Sequence, residues 1–183
     1  MPATRPKPLP RPAITGDRGL KIVAACTVKK SREELFRFWR RVENLPRFSR
    51  QVLAVVETSD TTSHWVVKSD SGTIVEWDLA IINEHENELI SWESEPGSEI
   101  QNAGTVRFTP APDDQGTEVT LNFEFVPPGG ELGLALARLY GEKPEVEVED
   151  NLLRFKALME TGEIPTTEGQ PAGAGRTVKR RAK

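Results

Sequence analysis

The side chains that could activate a nucleophile or bind a metal ion are few in this sequence. It contains two histidines, His64 and His85, and a single cysteine, Cys26. Because no second histidine or cysteine stands at ligand spacing from these residues, the sequence predicts no transition-metal site. No serine lies in a Gly-x-Ser-x-Gly turn, and Cys26 has no histidine near it in sequence, so no nucleophile is indicated. We interpret Cys26 as a small packed residue of the core.

Glu76 and Asp78 could provide general acid–base catalysis, since they flank Trp77 in a predicted strand. Such catalysis requires a carboxylate or an imidazole in a dry pocket, where its pKa can shift towards neutrality. If the apolar face of the strand points inward, both carboxylates point to solvent, and this is the arrangement we expect. The reverse arrangement would place an acid–base pair inside. The same alternation places three further charged side chains on wet strand faces: Arg107, Glu118 and Glu124.

Large aromatic side chains offer a second route to function. They occur at inward-facing positions of five predicted strands and on one helical stripe: Trp65, Trp77, Trp92, Phe108, Phe123, Phe125 and Phe155. Plain core packing explains these rings, and so does a ring-lined cavity for a flat apolar ligand. Asn102 and Tyr140 are the polar side chains that could reach such a pocket. The predicted ligand-binding set is Trp65, Trp77, Trp92, Asn102, Phe108, Phe123, Leu136, Tyr140 and Phe155.

Hydrophobic periodicity predicts the strands that would carry these side chains. In 118–125, apolar and polar residues alternate strictly, which gives a strand one dry and one wet face. Seven strands are predicted, at Leu20–Val28, 51–58, 61–69, 73–83, 88–94, 100–109 and 117–126. The links between the later six are short and rich in Ser, Asp, Asn, Gly and Pro, which favours antiparallel neighbours.

Two helical regions interrupt or follow the strands. Ser31 is a good N-cap, and Glu34 completes a capping box before a predicted helix at 32–41. A second short helical turn is predicted at 44–48. After residue 130 the apolar period changes to about 3.6. The stripe runs through Leu132, Leu136 and Leu139, is interrupted by Gly141 and Pro144, and resumes with Val148, Leu152, Phe155 and Met159.

Length and charge indicate one domain with two tails. The chain has 183 residues and a net charge of −4, but residues 1–19 and 161–183 each carry +3, which leaves about −10 for residues 20–160. An acidic domain repels phosphate backbones, so we expect no specific nucleic-acid partner. The Pro-rich tail 1–19 and the Gly- and Pro-containing tail 161–183 are predicted to be disordered and could weakly contact a membrane surface. The foldable unit is 20–160.

No secretory signal, disulfide pair or apolar run of membrane-spanning length is evident. We therefore predict a cytoplasmic protein, with peripheral membrane association through the basic tails as a further option.

The order strand, two short helices, six strands and long helix resembles the helix-grip order of the START-like or SRPBCC superfamily, which includes the major birch pollen allergen. Several motifs are similar to its bacterial polyketide cyclase/dehydrase branch, related to coenzyme-Q-binding proteins. They are FWR at 38–40, ENLP at 43–46, WVV at 65–67, TIVEWD at 73–78, NAGTVRF at 102–108, PPGG at 127–130, DNLLRFK at 150–156 and ETGEI at 160–164. The resemblance covers about 20–165. It implies an α+β fold in which a curved seven-stranded antiparallel sheet wraps around a long C-terminal helix. It implies no catalytic motif, because the superfamily shares none.

Three functions stay open from the sequence. The first is a binding or carrier module for a hydrophobic molecule such as a quinone, a lipid or an aromatic polyketide, without a cofactor. The second is a polyketide cyclase/dehydrase-type enzyme, either an aromatase/cyclase or a dehydratase, that positions a flexible chain. The third is an accessory domain of a cell-envelope system. Because no general base is evident, we favour the first, with catalytic residues unknown.

Overall fold

Seven antiparallel strands form one curved sheet in the computed structural model, which describes residues 20–69, 72–98, 100–126 and 143–164. The strands are β1 Leu20–Val28, β2 Val52–Glu57, β3 Thr62–Lys68, β4 Ile74–His85, β5 Leu89–Ser94, β6 Gln101–Pro110 and β7 Thr117–Val126. All seven predicted strands are confirmed, with bounds that differ from the prediction by a few residues at most.

The sheet order is β1-β7-β6-β5-β4-β3-β2, so the first strand pairs with the last. The β1–β7 ladder runs unbroken from the Leu20–Phe125 pair to the Val28–Thr117 pair. The register shifts in β2 between Val52 and Ala54, and in β4 beyond Ile81. Such irregularities bend a strand and increase its twist, which helps a sheet to curl. The curled sheet and C-terminal helix confirm the predicted fold class.

Two short helices follow β1, as the sequence predicts. Helix α1 spans Arg32–Arg40, and a 3₁₀ helix spans Val42–Arg47. The Ser31 hydroxyl accepts a hydrogen bond from the backbone N–H of Glu34 at 3.2 Å, so the N-cap is confirmed. Glu34 does not complete the predicted capping box, because its carboxylate pairs with Lys30 Nζ at 3.1 Å rather than with the Ser31 N–H. The buried face of α1 carries Leu35, Phe36 and Trp39.

Helix α2, Pro144–Thr161, packs against β1 and ends at Gly162, whose left-handed φ of 77° lets its N–H bond to the Leu158 carbonyl oxygen. Its predicted apolar stripe is buried at Val148, Leu152 and Phe155. The predicted helical segment with Leu132, Leu136, Leu139 and Gly141 lies outside the described residues, as do the tails apart from 161–164. No helix in the described ranges has the length and apolar character that crossing a membrane requires.

The expected wet and dry faces are observed with one exception. Glu76 and Glu118 are exposed, Asp78 and Arg107 are partly exposed, and Trp77 is buried. Glu124 is buried, with 8 % of its surface exposed, although alternation predicts a solvent-facing side chain. Its flanking residues Phe123 and Phe125 are buried as well, so both faces of β7 are covered here. Alternation identifies the drier face, but it cannot show that the second face is also covered.

Candidate functional site

A cavity of about 130 Å³ lies between the concave face of the sheet, the 3₁₀ helix and α2. Six strands, β2–β7, contribute to its wall, and α2 closes it with Val148, Asn151 and Leu152. For scale, a dry apolar cavity of about 150 Å³ accepts one benzene molecule. The cavity therefore suits one small ring system without rearrangement of its walls.

All four tryptophans of the chain line this cavity: Trp39, Trp65, Trp77 and Trp92. They come from α1, β3, β4 and β5, so the rings converge from elements distant in sequence. Trp65 and Trp77 are direct cross-strand partners in the β3–β4 ladder. Flat, polarisable indole faces pack well against aromatic ligands, and their area makes them strong contributors to apolar binding.

The indole of Trp92 is held by a side chain of the next strand. Its Nε1 donates a hydrogen bond to Asn102 Oδ1 at 2.9 Å. The backbone of Asn102 is held by Ser94, whose hydroxyl oxygen accepts from the Asn102 N–H at 2.8 Å and donates to its carbonyl at 3.2 Å. Both Trp92 and Asn102 line the cavity, and Asn102 is 9 % exposed. The pair thus forms an ordered, polar part of the wall.

The other two sheet tryptophans differ in how their N–H groups are used. Trp65 Nε1 donates to the hydroxyl oxygen of Ser63 at 2.9 Å, and Ser63 also lines the cavity. Trp77 Nε1 is buried and has no hydrogen-bond partner in the part of the chain that the structure describes. An unpaired buried donor costs about 1–3 kcal/mol. This nitrogen has almost no accessible surface, so it is not a donor that the cavity exposes.

Arg40 is the one charged side chain of the wall among the described residues. Its Nε lies 2.6 Å from a carboxylate oxygen of Glu84, and one terminal nitrogen donates to the Asp60 carbonyl oxygen at 2.7 Å. These groups hold the guanidinium at one end of the cavity and neutralise its charge locally.

At the helix side, Asn151 connects α2 to the segment before β2. Its amide nitrogen donates to Gln51 Oε1 at 2.8 Å, and its oxygen accepts from the Arg50 N–H at 3.2 Å. Gln51 in turn donates to Glu147 at 3.3 Å. Because donors and acceptors of Asn151 are both used within the protein, this end of the wall has a structural role.

Five of the predicted ligand-binding residues line the cavity: Trp65, Trp77, Trp92, Asn102 and Phe123. Phe108 and Phe155 do not. Phe108 packs edge-on against Phe36 and Trp39, with ring centroids 6.0 and 6.3 Å apart. Phe155 has no exposed surface, and its ring lies 5.0 Å from that of Trp39. Both rings therefore pack against Trp39, which itself lines the cavity. Leu136 and Tyr140 lie outside the described residues.

Sequence reasoning missed Trp39 and Phe48 as wall residues. Trp39 lies on the buried face of α1. An apolar helix face indicates that a side chain is buried, but it does not show which other elements that side chain contacts. Phe48 follows the 3₁₀ helix, where no long period exists to interpret.

His64 lies on the opposite, outer side of β3, between two carboxylates. Its Nδ1 is 2.9 Å from Asp78 Oδ1, and its Nε2 is 3.1 Å from Glu76 Oε2. The hydrogen bond to Asp78, followed by that to Glu76, raises the pKa of His64 above the ordinary 6.5. Glu76 is exposed, His64 and Asp78 are partly exposed, and none of the three lines the cavity. Among the described residues, no group of three His, Cys, Asp or Glu side chains is arranged to hold a metal ion.

Cys26 is a half-buried residue of β1, and its sulfur lies 3.8 Å from the Leu152 carbonyl oxygen of α2. Burial raises the pKa of this thiol to about 11, although the nearby Lys156 acts in the opposite direction. A thiol with such a pKa is almost fully protonated near neutrality and is a poor nucleophile.

Comparison with known proteins relates this geometry to a family. The family model for polyketide cyclase / dehydrase and lipid transport matches residues 28–153. An uncharacterised 17.2 kDa protein of Streptomyces lincolnensis is 30 % identical over 128 residues, which cover 67 % of this chain and 77 % of the relative.

Solved structures share the fold. A crystal structure from Deinococcus radiodurans has a TM-score of 0.64 and 29 % identity, covering 79 % of this chain and 99 % of its own. The Zhui aromatase/cyclase from a Streptomyces species has a TM-score of 0.59 and 13 % identity, covering 80 % and 99 %. At that identity the likeness concerns the fold alone.

Proposed function

Because the chain belongs to the polyketide cyclase / dehydrase and lipid transport family, we propose that it binds a flat, apolar, ring-containing molecule in the cavity between the sheet and α2. The observation that carries this proposal is the convergence of all four tryptophans on one cavity. Core packing alone would require these rings to interlock without a void of this size.

The expected driving force is burial of apolar surface. A bicyclic ligand that buries roughly 250 Å² gains about 6 kcal/mol at ~25 cal/mol per Å², before the cost of association. Since the lining is mainly apolar and Arg40 is already bonded to Glu84, salt should affect this binding little.

We propose a binding or carrier role in preference to catalysis. The groups that the wall presents are aromatic rings, aliphatic side chains, two serine hydroxyls and two amides, with Arg40 as the ionisable group among the described residues. A cyclase could still act by positioning a flexible chain, without a dedicated base. The likeness in fold to the Zhui aromatase/cyclase gives that alternative its support. Turnover of a polyketide chain by the purified protein would favour the enzyme.

The finer identity of a natural ligand is also a proposal. Quinones, aromatic polyketides and lipids with a ring all fit the chemistry of the wall. A weak contact between the basic residues of 1–19 and 161–183 and an anionic membrane would bring the protein to a lipid-soluble ligand. Cosedimentation with vesicles rich in anionic lipid tests that contact.

A matched pair of variants on α2 tests cavity binding. Val148 lines the cavity, whereas Val146 is 54 % exposed on the same helix. Val148→Phe should fill the cavity and weaken binding of indane, a small bicyclic hydrocarbon, at least tenfold. Val146→Phe adds the same bulk outside and should bind as the wild type does. Tryptophan fluorescence follows the titration. Equal binding by both variants, or no saturable binding by the wild type, would contradict the proposal and favour an accessory-domain role.

A further inference from the structure

We propose that Asn102 is a specificity-determining residue whose side-chain amide donates a hydrogen bond to a carbonyl oxygen of the bound ligand. The ligand class is then a neutral aromatic ketone or quinone, which the site distinguishes from a hydrocarbon of the same shape. This inference rests on the proposed binding function.

The orientation of the Asn102 amide follows from its partner. An indole N–H can only donate, so the atom that faces Trp92 Nε1 at 2.9 Å must be the amide oxygen. The Nδ2 group therefore points away from Trp92. Among the described residues it has no hydrogen-bond partner, although the residue is 91 % buried and lines the cavity. Two N–H donors are thus available at the wall.

Asn102 is also held in place. Its backbone N–H and carbonyl are both bonded to the Ser94 hydroxyl, and its side chain is bonded to Trp92. Gly104 allows this arrangement, because a Cβ at that position would lie 2.5 Å from Trp92 Cζ2. An amide that is ordered before binding loses little conformational freedom when a ligand binds, and this favours both affinity and selectivity.

A neighbouring side chain of the wall, Ser63, is also a potential hydrogen-bond donor. Trp65 donates to the oxygen of Ser63, so the Ser63 hydroxyl proton remains available to donate. The described sheet wall therefore presents donors, while two of its acceptor oxygens are already used by indoles. A ligand with carbonyl oxygens complements this wall, and an amine does not.

The test compares 1-indanone with indane, which differ by a carbonyl in place of a methylene. The quantity measured is the ratio of their two dissociation constants, because a general change in cavity shape affects both ligands alike. In Asn102→Leu this ratio should move about tenfold against the ketone. Indane affinity in the same variant measures any general change in the shape of the cavity, and only the ratio tests the hydrogen bond. Asn122→Leu is the matched control, since Asn122 is exposed on β7, and its ratio should equal that of the wild type.

A second measurement needs no substitution. In the wild-type protein, the side-chain amide proton signals of Asn102 should shift downfield on addition of 1-indanone and stay nearly unchanged with indane. If indane binds but the ratio and the amide signals do not respond to the carbonyl, Asn102 is not a specificity determinant and the binding function stands. If neither compound binds, the proposed function fails and this inference fails with it.

Discussion

The indole ring of Trp92 lies across Gly104 on the neighbouring strand, so closely that a Cβ on Gly104 would be 2.5 Å from Trp92 Cζ2. The two residues are also register partners in the β5–β6 ladder. The same Cβ would lie 2.6 Å from Phe123 Cβ and 2.9 Å from the Asn122 carbonyl oxygen, so the ring and strand β7 together require a glycine here. The ring in turn reaches Asn102 on the same strand as Gly104. The shape and the polarity of this part of the cavity wall therefore depend on the absence of a side chain at position 104.

Gly104→Ala should displace Trp92 and break its hydrogen bond to Asn102. Crowding of this kind costs about 1–3 kcal/mol of unfolding free energy. The near-ultraviolet circular dichroism of tryptophan should change as well. Gly97→Ala is a control for the substitution itself, because its Cβ would meet nothing within 4 Å, although its φ of 86° adds local strain. Unchanged tryptophan dichroism in Gly104→Ala would mean that the ring does not depend on the glycine.

Phe155→Ala should reduce the free energy of unfolding by about 3–5 kcal/mol, because a fully buried ring is removed from a cluster with Phe38, Trp39 and Phe48. Urea unfolding measures the loss. Leu153 lies on the same helix and is 55 % exposed, so Leu153→Ala should change stability by about 0.5 kcal/mol or less. Similar losses for both variants would show that α2 is not docked through Phe155.

His64 should titrate above the ordinary histidine pKa of 6.5, because its two ring nitrogens face the carboxylates of Asp78 and Glu76. Both nitrogens donate only in the charged form, which the carboxylates favour. NMR titration of the ring protons measures this, with the signal assigned from a His64→Gln variant. Asp78→Asn should lower the pKa more than Glu76→Gln, since the bond to Asp78 contributes most.

The same interaction makes a small contribution to stability with a definite sign. The pKa of His64 is raised in the folded protein, so the contribution is fully present below pH 6.5 and is lost as the pH rises through the folded-state pKa. Its size should be small, because a third or more of each of the three side chains is in contact with solvent. If wild type and His64→Gln have the same pH dependence of unfolding, the ion pairs contribute nothing.

Cys26 should react slowly with iodoacetamide in the folded protein at pH 8. Burial raises its thiol pKa to about 11, and the thiolate is the reactive species. The matched control is the same chain unfolded in urea, in which alkylation should be much faster. Equal rates in the two states would show that the thiol is neither buried nor perturbed.

Local pattern was sufficient to predict the strands and the cap of α1. Alternation between Trp77 and its flanking carboxylates located the inner face of β4, and Ser31 marked the start of α1. The signals are strong here because each depends only on neighbours in sequence.

Which residues line the cavity could not be predicted from local sequence patterns. Alternation predicts that Phe108 and Trp92 face inward alike, but Phe108 packs under Trp39 while Trp92 lines the cavity. The difference arises from where α1 and α2 cross the sheet, which is a tertiary property. The sequence likewise cannot show that Asn102 Nδ2 is left as a donor, because this follows from the bond between the Asn102 amide oxygen and Trp92.

The most direct test of cavity binding is an isotope-filtered NOE spectrum of the labelled protein with saturating 1-indanone. We predict contacts from the ligand protons to the rings of Trp65, Trp77 and Trp92 and to the methyl groups of Val148 and Leu152, all of which line the cavity. Contacts confined to exposed side chains such as Leu53 and Val146, or no intermolecular contacts at all, would contradict it.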